Sequence, residues 1–290
     1  MKKLSFLIYK ILKLLDNMFL KVFRRSFLLY FNNFFNEDFY NSIKINNKET
    51  KFFAPNDIIK WRLDSLFSKE PETLEWIDSF ESNKGEDIIF WDIGANIGLY
   101  SIYAAQKHKN IIIYSFEPST SNLRVLSRNI SINELQNKII INQFPLLDKE
   151  FSFFEMNEPE FIEGWAMNTY GEALDYKGEK FVTKQKYRIF GASIDYLIEK
   201  NILKIPNYIK IDVDGAEDKI LSGGLKFLGQ KNVKSISIEL NEEYISQYQN
   251  VFKILTKLNF NLKHKKHADM FDINNKFSKL YNFVFDKHDN

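Results

Sequence analysis

The chain has 290 residues, 44% of them hydrophobic and 27% charged, enough to bury a large core and too apolar for wholesale disorder. It has no cysteine, which excludes disulfides, thiolate metal sites and a cysteine nucleophile and agrees with a reducing compartment. The formal net charge is only +2. The first 25 residues carry seven basic groups against Asp16, so the remainder is net acidic, which argues against nucleic acid as a partner of the main body.

The leading segment places Leu4, Ile8, Ile11, Leu15, Met18 and Val22 at alternating spacings of four and three, a stripe along one side of a helix. Lys10, Lys13 and Asp16 break the apolar core that a signal peptide or a spanning helix would need. Two readings compete. The stripe packs on the protein's own body or on a second copy, or it lies in a membrane interface with lysines facing anionic headgroups. The expected location is cytoplasmic, with the second reading adding peripheral contact at the inner face of the membrane.

Residues 36–57 are rich in turn formers and predict a short hairpin or loop. The stretch "WRLDSLFSKEPETLEWIDSF" reads as helices interrupted at Pro71, a residue suited to a first helical turn. This organisation divides the chain into an amphipathic arm (1–50), a helical lead-in (51–85) and a main domain (86–290).

From Asp87 onward strand and helix signals alternate: "DIIFWD", "IGLYSIYAAQKH", "NIIIYSF", "SNLRVLSRNISIN", "KIIINQF". After an insertion read as paired strands, "FSFFEM" and "KQKYRIF", around a polar loop, the alternation resumes through "NYIKID" and "VKSISIEL". It closes on two strands expected to form an antiparallel hairpin at one edge. This pattern predicts an α/β fold with a doubly wound, mostly parallel sheet.

In such a sheet ligands sit beyond the carboxyl ends of the strands. The first tip, "FWDIGANIGLYS", carries Asp92, Gly94, Ala95, Asn96 and Gly98. The second carries Glu117, 19 residues past Gly98, placed to accept from both hydroxyls of a ribose. A dinucleotide site wants a glycine where Asn96 stands, and Asp92 would oppose a pyrophosphate. S-adenosylmethionine has no phosphate, and its sulfonium and ammonium groups welcome an acid. An NAD-dependent enzyme is the alternative, and a catalytically inactive cofactor-binding scaffold is another. A nucleic-acid methyltransferase would be expected to show an Asn-Pro-Pro-Tyr-type motif, which is missing.

Three motifs in order, "FWDIGANIGLYS", "SFEPSTSNLRVLSRNISIN" and "IKIDVDGAEDKILSGG", resemble the FkbM-type family of S-adenosylmethionine-dependent O-methyltransferases over about residues 80–240. The resemblance implies a seven-stranded class I methyltransferase sheet and transfer to a hydroxyl, often of a sugar, glycan or related small molecule. It implies a methionine-binding role for Asp92, Gly94, Ala95, Asn96 and Gly98. Glu117 would take the ribose, with Ser119 and Asn122 nearby. At the third tip, "FPLLD" departs from the family pattern; Leu146 and Leu147 would sandwich adenine and Asp148 would accept from its amino group. Asp214 stands where the family usually has glutamate.

Methyl transfer to oxygen requires in-line geometry and a route for the hydroxyl proton. Asp212 and Glu239 close two strands at the same sheet edge and are the candidate catalytic pair. Asp212, Asp214, Glu217 and Glu239 are oxygen ligands suited to magnesium, which is left open. His264, His267 and Asp269 resemble a zinc cluster only superficially, and solvent exposure is expected of them. Trp165, Asn168 and Tyr170, in the loop 157–180, mix an aromatic face with polar groups and are the candidate acceptor contacts.

Overall fold

The computed structural model describes residues 1–82, 85–267, 271–272 and 277–287. Two helices, α1 (Lys2–Phe23) and α2 (Leu28–Asp38), precede a hairpin of β1 (Tyr40–Ile45) and β2 (Lys48–Phe53). The hairpin turns on Asn46 and Asn47, both at positive φ (48° and 62°), the geometry of a two-residue turn that asparagine tolerates. Phe52 and Phe53 are fully buried, and Asn129 accepts from the Phe53 N–H at 2.7 Å. The hairpin therefore belongs to the body, and the expected boundary at residue 50 divides it.

Helices α3 (Asp57–Asp64), α4 (Leu66–Lys69) and α5 (Pro71–Asp78) follow, with Pro71 opening α5. Then come β3 (Ile88–Ile93), α6 (Leu99–Lys107), β4 (Ile111–Phe116), α7 (Thr120–Ile132) and β5 (Ile139–Asn142). The insertion holds β6 (Leu146–Leu147), β7 (Phe151–Glu158), β8 (Thr169–Tyr170) and β9 (Gln185–Ser193). Helix α8 (Ile194–Glu199), β10 (Tyr208–Ile211), α9 (Glu217–Ser222), α10 (Leu225–Leu228), β11 (Ser235–Asn241), α11 (Ile245–Lys257), β12 (Phe260–Lys266) and β13 (Leu280–Lys287) complete the chain.

The main sheet runs β12–β13–β11–β10–β3–β4–β5. Its order reverses between β3 and β10, neighbours that are parallel to each other and to β4, β5 and β11. All six residues of β3 are buried, as expected of a central strand covered on both faces. One core joins β3 to α5, α6, α7 and the β1–β2 hairpin through Trp76, Phe90, Ile102 and Leu126. The other joins it to α8, α9 and α11 through Trp91, Ile194, Ile220 and Val251. The sheet is doubly wound.

Two expectations are refined. The closing strands do not both run against the sheet: β13 inserts antiparallel between β11 and β12, so β13 alone is reversed. The insertion is more than a hairpin, since β6 and β8 flank the β7–β9 pair in a separate sheet ordered β6–β9–β7–β8. The arm also differs from one of its two readings. Leu4, Ile8, Ile11, Leu15, Met18 and Val22 are all exposed, so the stripe does not pack on the protein's own body.

Candidate active site

The carboxyl ends of β3, β4, β10 and β11 converge on two adjoining cavities. The smaller, of about 60 Å³, is bordered by Glu117, Asn122, Phe144, Leu146, Trp165 and Tyr170 among others. The larger, of about 260 Å³, is walled by α3–α5 residues Trp61, Arg62, Lys69 and Glu70, by Tyr100, and by Asn282 of β13. They meet along Gly94, Asn96, Ala166, Met167, Asp212 and Asp214.

Gly94 makes this junction possible. Its φ is +85°, and a Cβ there would lie 1.8 Å from the Asp212 carbonyl oxygen. Bare backbone lets the tips of β3 and β10 touch. Gly98, also at +85°, serves packing: a Cβ would lie 2.5 Å from Leu126 Cδ1 of α7. It borders neither cavity, and neither does Asp92. That acid is fully buried and accepts from Ser101 Oγ at 2.5 Å. Burial pushes its pKa up, against the pull of Lys210 and Ser101.

Glu117 is 4% exposed and accepts from the Asn96 N–H at 2.7 Å and the Ser119 N–H at 2.8 Å. Burial nonetheless pushes its pKa up to about 7, with Glu158 adding to the shift. Asn122 borders the smaller cavity beside Glu117 and is also engaged with the 164–165 backbone. Its Oδ1 accepts from the Gly164 N–H at 2.8 Å, and its Nδ2 donates to the Trp165 carbonyl at 3.1 Å. Asn96 Nδ2 donates to the same carbonyl at 3.1 Å. Arg62 Nε donates to the Gly164 carbonyl at 2.8 Å. Asp214 accepts from the Met167 N–H at 2.6 Å. These bonds fasten residues 164–167 across the junction of the cavities. Asp214, which replaces the expected glutamate, is thereby a tether, and burial pushes its pKa to about 6, with Asp212 adding to the shift.

Trp165, Asn168 and Tyr170 lie beside Glu117 on the smaller cavity, whereas the sequence suggested acceptor contacts. Leu146 borders that cavity. Leu147 is buried against the backbone of Gly223 and Gly191, and Asp148 is exposed. Ser119 is buried and its hydroxyl pairs with Ser121 at 2.9 Å.

At the junction sits a charged cluster that sequence reading caught only in part. Oxygens of Glu70, Asp212 and Glu239 lie within 4.8 Å of one another. Lys210 Nζ, almost fully buried, donates to Asp212 at 2.6 Å and lies 4.7 Å from the Tyr100 ring centroid. Lys69 pairs with Glu70, which accepts from Tyr100 Oη at 2.7 Å. Burial alone would raise Asp212, but Lys210 and Lys69 overcome it and hold its pKa below the ordinary value. Glu70 is held low in the same way, against its burial, by Lys69 and Lys210. Glu239 is pushed well up by burial and then by Asp212 and Glu70. Asp212 and Glu70 are thus held low beside a Glu239 that is pushed up, the kind of split that separates acid and base roles in many enzymes.

Two lysines balance the cluster, and magnesium remains unassigned. The wider ligand set suggested by sequence is divided: Glu217 accepts from the Gly215 N–H at 3.2 Å and from Gln247 at 2.6 Å, apart from this cluster. His267 borders the larger cavity. It is half-buried rather than exposed, stacking on Tyr281 at 4.1 Å and pairing with Asp272 at 2.7 Å. His264 is half-buried on β12, and Asp269 lies outside the described residues.

The smaller cavity is lined by unsatisfied polar groups. Asn96 Oδ1, Trp165 Nε1 and Asn168 Oδ1 border it and are buried with no partner among the described residues, an expensive arrangement unless a ligand satisfies them. Together with Glu117 they offer an indole donor, amide acceptors and a carboxylate. With its strand order and its site at the switch point, the fold is that of a class I, S-adenosylmethionine-dependent methyltransferase. Residues 92–262 match the FkbM-domain methyltransferase family, and the chain belongs to that family.

Similarity to individual relatives is modest. The hexuronic acid methyltransferase AglP of Haloferax volcanii is 26% identical over 180 residues, covering 61% of this chain and 65% of that protein. The methyltransferase sdnD of Sordaria araneosa is 27% identical over 156 residues, covering 46% and 58%. The matches span less than two thirds of either relative's length. Similar solved structures include the methyltransferase FkbM from Methylobacillus flagellatus (15% identity, TM-score 0.45, covering 79% of this chain and 52% of that one). Another is the Methanococcus jannaschii fibrillarin pre-rRNA processing protein (14% identity, TM-score 0.44, 87% and 84%).

Proposed function

We propose that the protein transfers a methyl group from S-adenosylmethionine to a hydroxyl of a sugar, glycan or related small molecule. The observation that carries this reading is the junction of two cavities at Asp212. One side has the chemistry of a nucleoside pocket, and the other is walled by aromatic and charged side chains. Bound cofactor would supply an electrophilic methyl on a sulfonium. Glu117 would accept from the ribose hydroxyls. Trp165, Asn168 and Tyr170, on the same side, would cover the base, a role different from the acceptor contact first suggested. The backbone at Gly94, Ala95 and Asn96 would border the methionine end. Asp92 would act from beneath, through its bond with Ser101.

On the acceptor side, Asp212 holds the ionised carboxylate that can orient a hydroxyl and take its proton as the new carbon–oxygen bond forms. Lys210 fixes that carboxylate in direction and charge. Glu239, whose pKa is pushed up, would donate to a neighbouring oxygen of the acceptor when it carries its proton. Arg62, bordering the same cavity, would suit an acceptor bearing a carboxylate. That chemistry agrees with AglP, whose name specifies a hexuronic acid.

Two measurements test the reading. Calorimetric titration should show binding of S-adenosylmethionine and S-adenosylhomocysteine and no response to NAD. A screen of nucleotide sugars, free hexuronic acids and glycan fragments with labelled methyl donor should find label on oxygen. Tight NAD binding without response to the other two would sink the assignment, and binding with no transfer to any acceptor would favour the inactive scaffold.

A further inference from the structure

The two N-terminal helices have no part in the site, and their arrangement has its own logic. Apart from Asp16 and the half-buried Leu12, every residue of α1 is exposed. The exposed side chains include Leu4, Ile8, Ile11, Leu15, Met18 and Val22 on one stripe, and Phe31, Phe34 and Phe35 on α2. An apolar surface of this extent on a solvated chain marks an interaction site. Among the described residues no helix is long and apolar enough to cross a membrane.

The charges are sorted as well. On a wheel of about 100° per residue, Lys2, Lys3, Lys10, Lys13 and Lys21 fall within an arc of about 100°, opposite the apolar stripe. Lys10 Nζ lies 4.9 Å from the Phe6 ring centroid and Lys13 Nζ 5.7 Å from that of Tyr9, so each ammonium rests over an aromatic ring of its own helix with no acid as its partner on α1. Asp16, the one acid of α1, is 5% exposed. It accepts from Ser26 Oγ at 2.8 Å, the Phe27 N–H at 2.8 Å and the Leu28 N–H at 3.2 Å. Its carboxylate is spent on the start of α2 and locks the bend between the helices, leaving no acid displayed on α1.

We propose that α1 and α2 form an in-plane docking device for an anionic lipid surface, the apolar stripe entering the headgroup boundary and the lysines pairing with lipid phosphates. A second copy of the chain fits less well, because packing two arms stripe to stripe would cover the apolar faces and leave both lysine faces on the outside without a counter-charge. Anionic headgroups turn the same charge into attraction, worth about five-fold in affinity for each lysine near the surface.

Co-sedimentation of the full chain with vesicles tests this. Mixed phosphatidylglycerol–phosphatidylcholine vesicles should retain the protein, pure phosphatidylcholine vesicles should not, and salt at about 1 M, where the Debye length is about 3 Å, should release it. The triple variant Lys10→Gln/Lys13→Gln/Lys21→Gln should bind about 100-fold more weakly. Ile11→Glu/Leu15→Glu should abolish retention. Both variants should melt at the wild-type temperature, since the altered side chains are exposed. Equal retention by the two vesicle types would overturn the proposal. So would no retention by either, accompanied by a concentration-dependent dimer that Ile11→Glu/Leu15→Glu dissociates.

Discussion

Replacing Glu117 by glutamine probes the donor side most directly. The carboxyl is raised from an ordinary 4.5 to about 7, equivalent to about 3 kcal/mol of penalty on the ionised form. Two backbone N–H donors already face it and do not remove that penalty. In the free protein, therefore, this acid keeps its proton in a window where the unfolded chain has lost it. Its contribution to stability falls as pH rises from about 4.5 to about 7. Ribose hydroxyls donate best to the ionised form, so cofactor binding should pull the proton off. Affinity for S-adenosylhomocysteine should then rise about tenfold between pH 6 and pH 8 and level off above, following the ionised fraction of a group with a pKa near 7. Glu117→Gln keeps the shape, loses the charge and turns an N–H₂ towards the N–H of Asn96 or Ser119. With about 1.5–3 kcal/mol in each charge-assisted bond, the dissociation constant should rise at least about 100-fold, and the pH step should vanish. Isothermal titration calorimetry of both proteins across this range is the assay. A flat pH profile for the wild type, or wild-type affinity in the variant, would refute the reasoning.

Asp212→Asn should lower kcat by about 100-fold or more while leaving S-adenosylhomocysteine affinity within about threefold; full turnover would remove Asp212 from the chemistry. Lys210→Met takes away the ammonium that holds Asp212 ionised, so the acidic limb of the pH–rate profile should move to higher pH. The same variant should lose about 3–5 kcal/mol of stability, about 5–8 °C in melting temperature for a chain of this size; an unmoved acidic limb would contradict its role. Gly94→Ala should be poorly tolerated, costing about 3 kcal/mol or more by combining a positive φ with overlap on the Asp212 carbonyl. Gly98→Ala meets only the movable end of Leu126 and should melt at a temperature between those of Gly94→Ala and wild type.

The division between what was legible and what was not follows residue by residue. Gly94 and Glu117 could be read because each answers a local requirement: a backbone position that admits no Cβ, and an acid ending the strand next to it. Asp212 was legible as a strand-end acid. Its partner Lys210, two residues earlier in "YIKID", carries no local sign of the burial it meets. Nothing in the sequence says that Glu70, from the turn between α4 and α5 far upstream, and Tyr100 would surround it. Trp165 and Asn168 were recognised as unusual, but the cavity they border could not be read, because the loop that carries them crosses the sheet edge and hangs from Asn96, Asn122, Arg62 and Asp214. The sign of such a crossing is a set of hydrogen bonds between residues dozens of positions apart.

The order of strands and helices, the switch point, the glycine turn and the acid ending the second strand were all written in the linear chain, since periodicity and tight turns are short-range properties. So was the amphipathic arm, though whether its stripe met the body could not be read there. Only the folded chain set which carboxyls are held low and which is pushed up. That outcome depends on burial and on charges that meet through space, and those distances exist only once the strands are laid side by side.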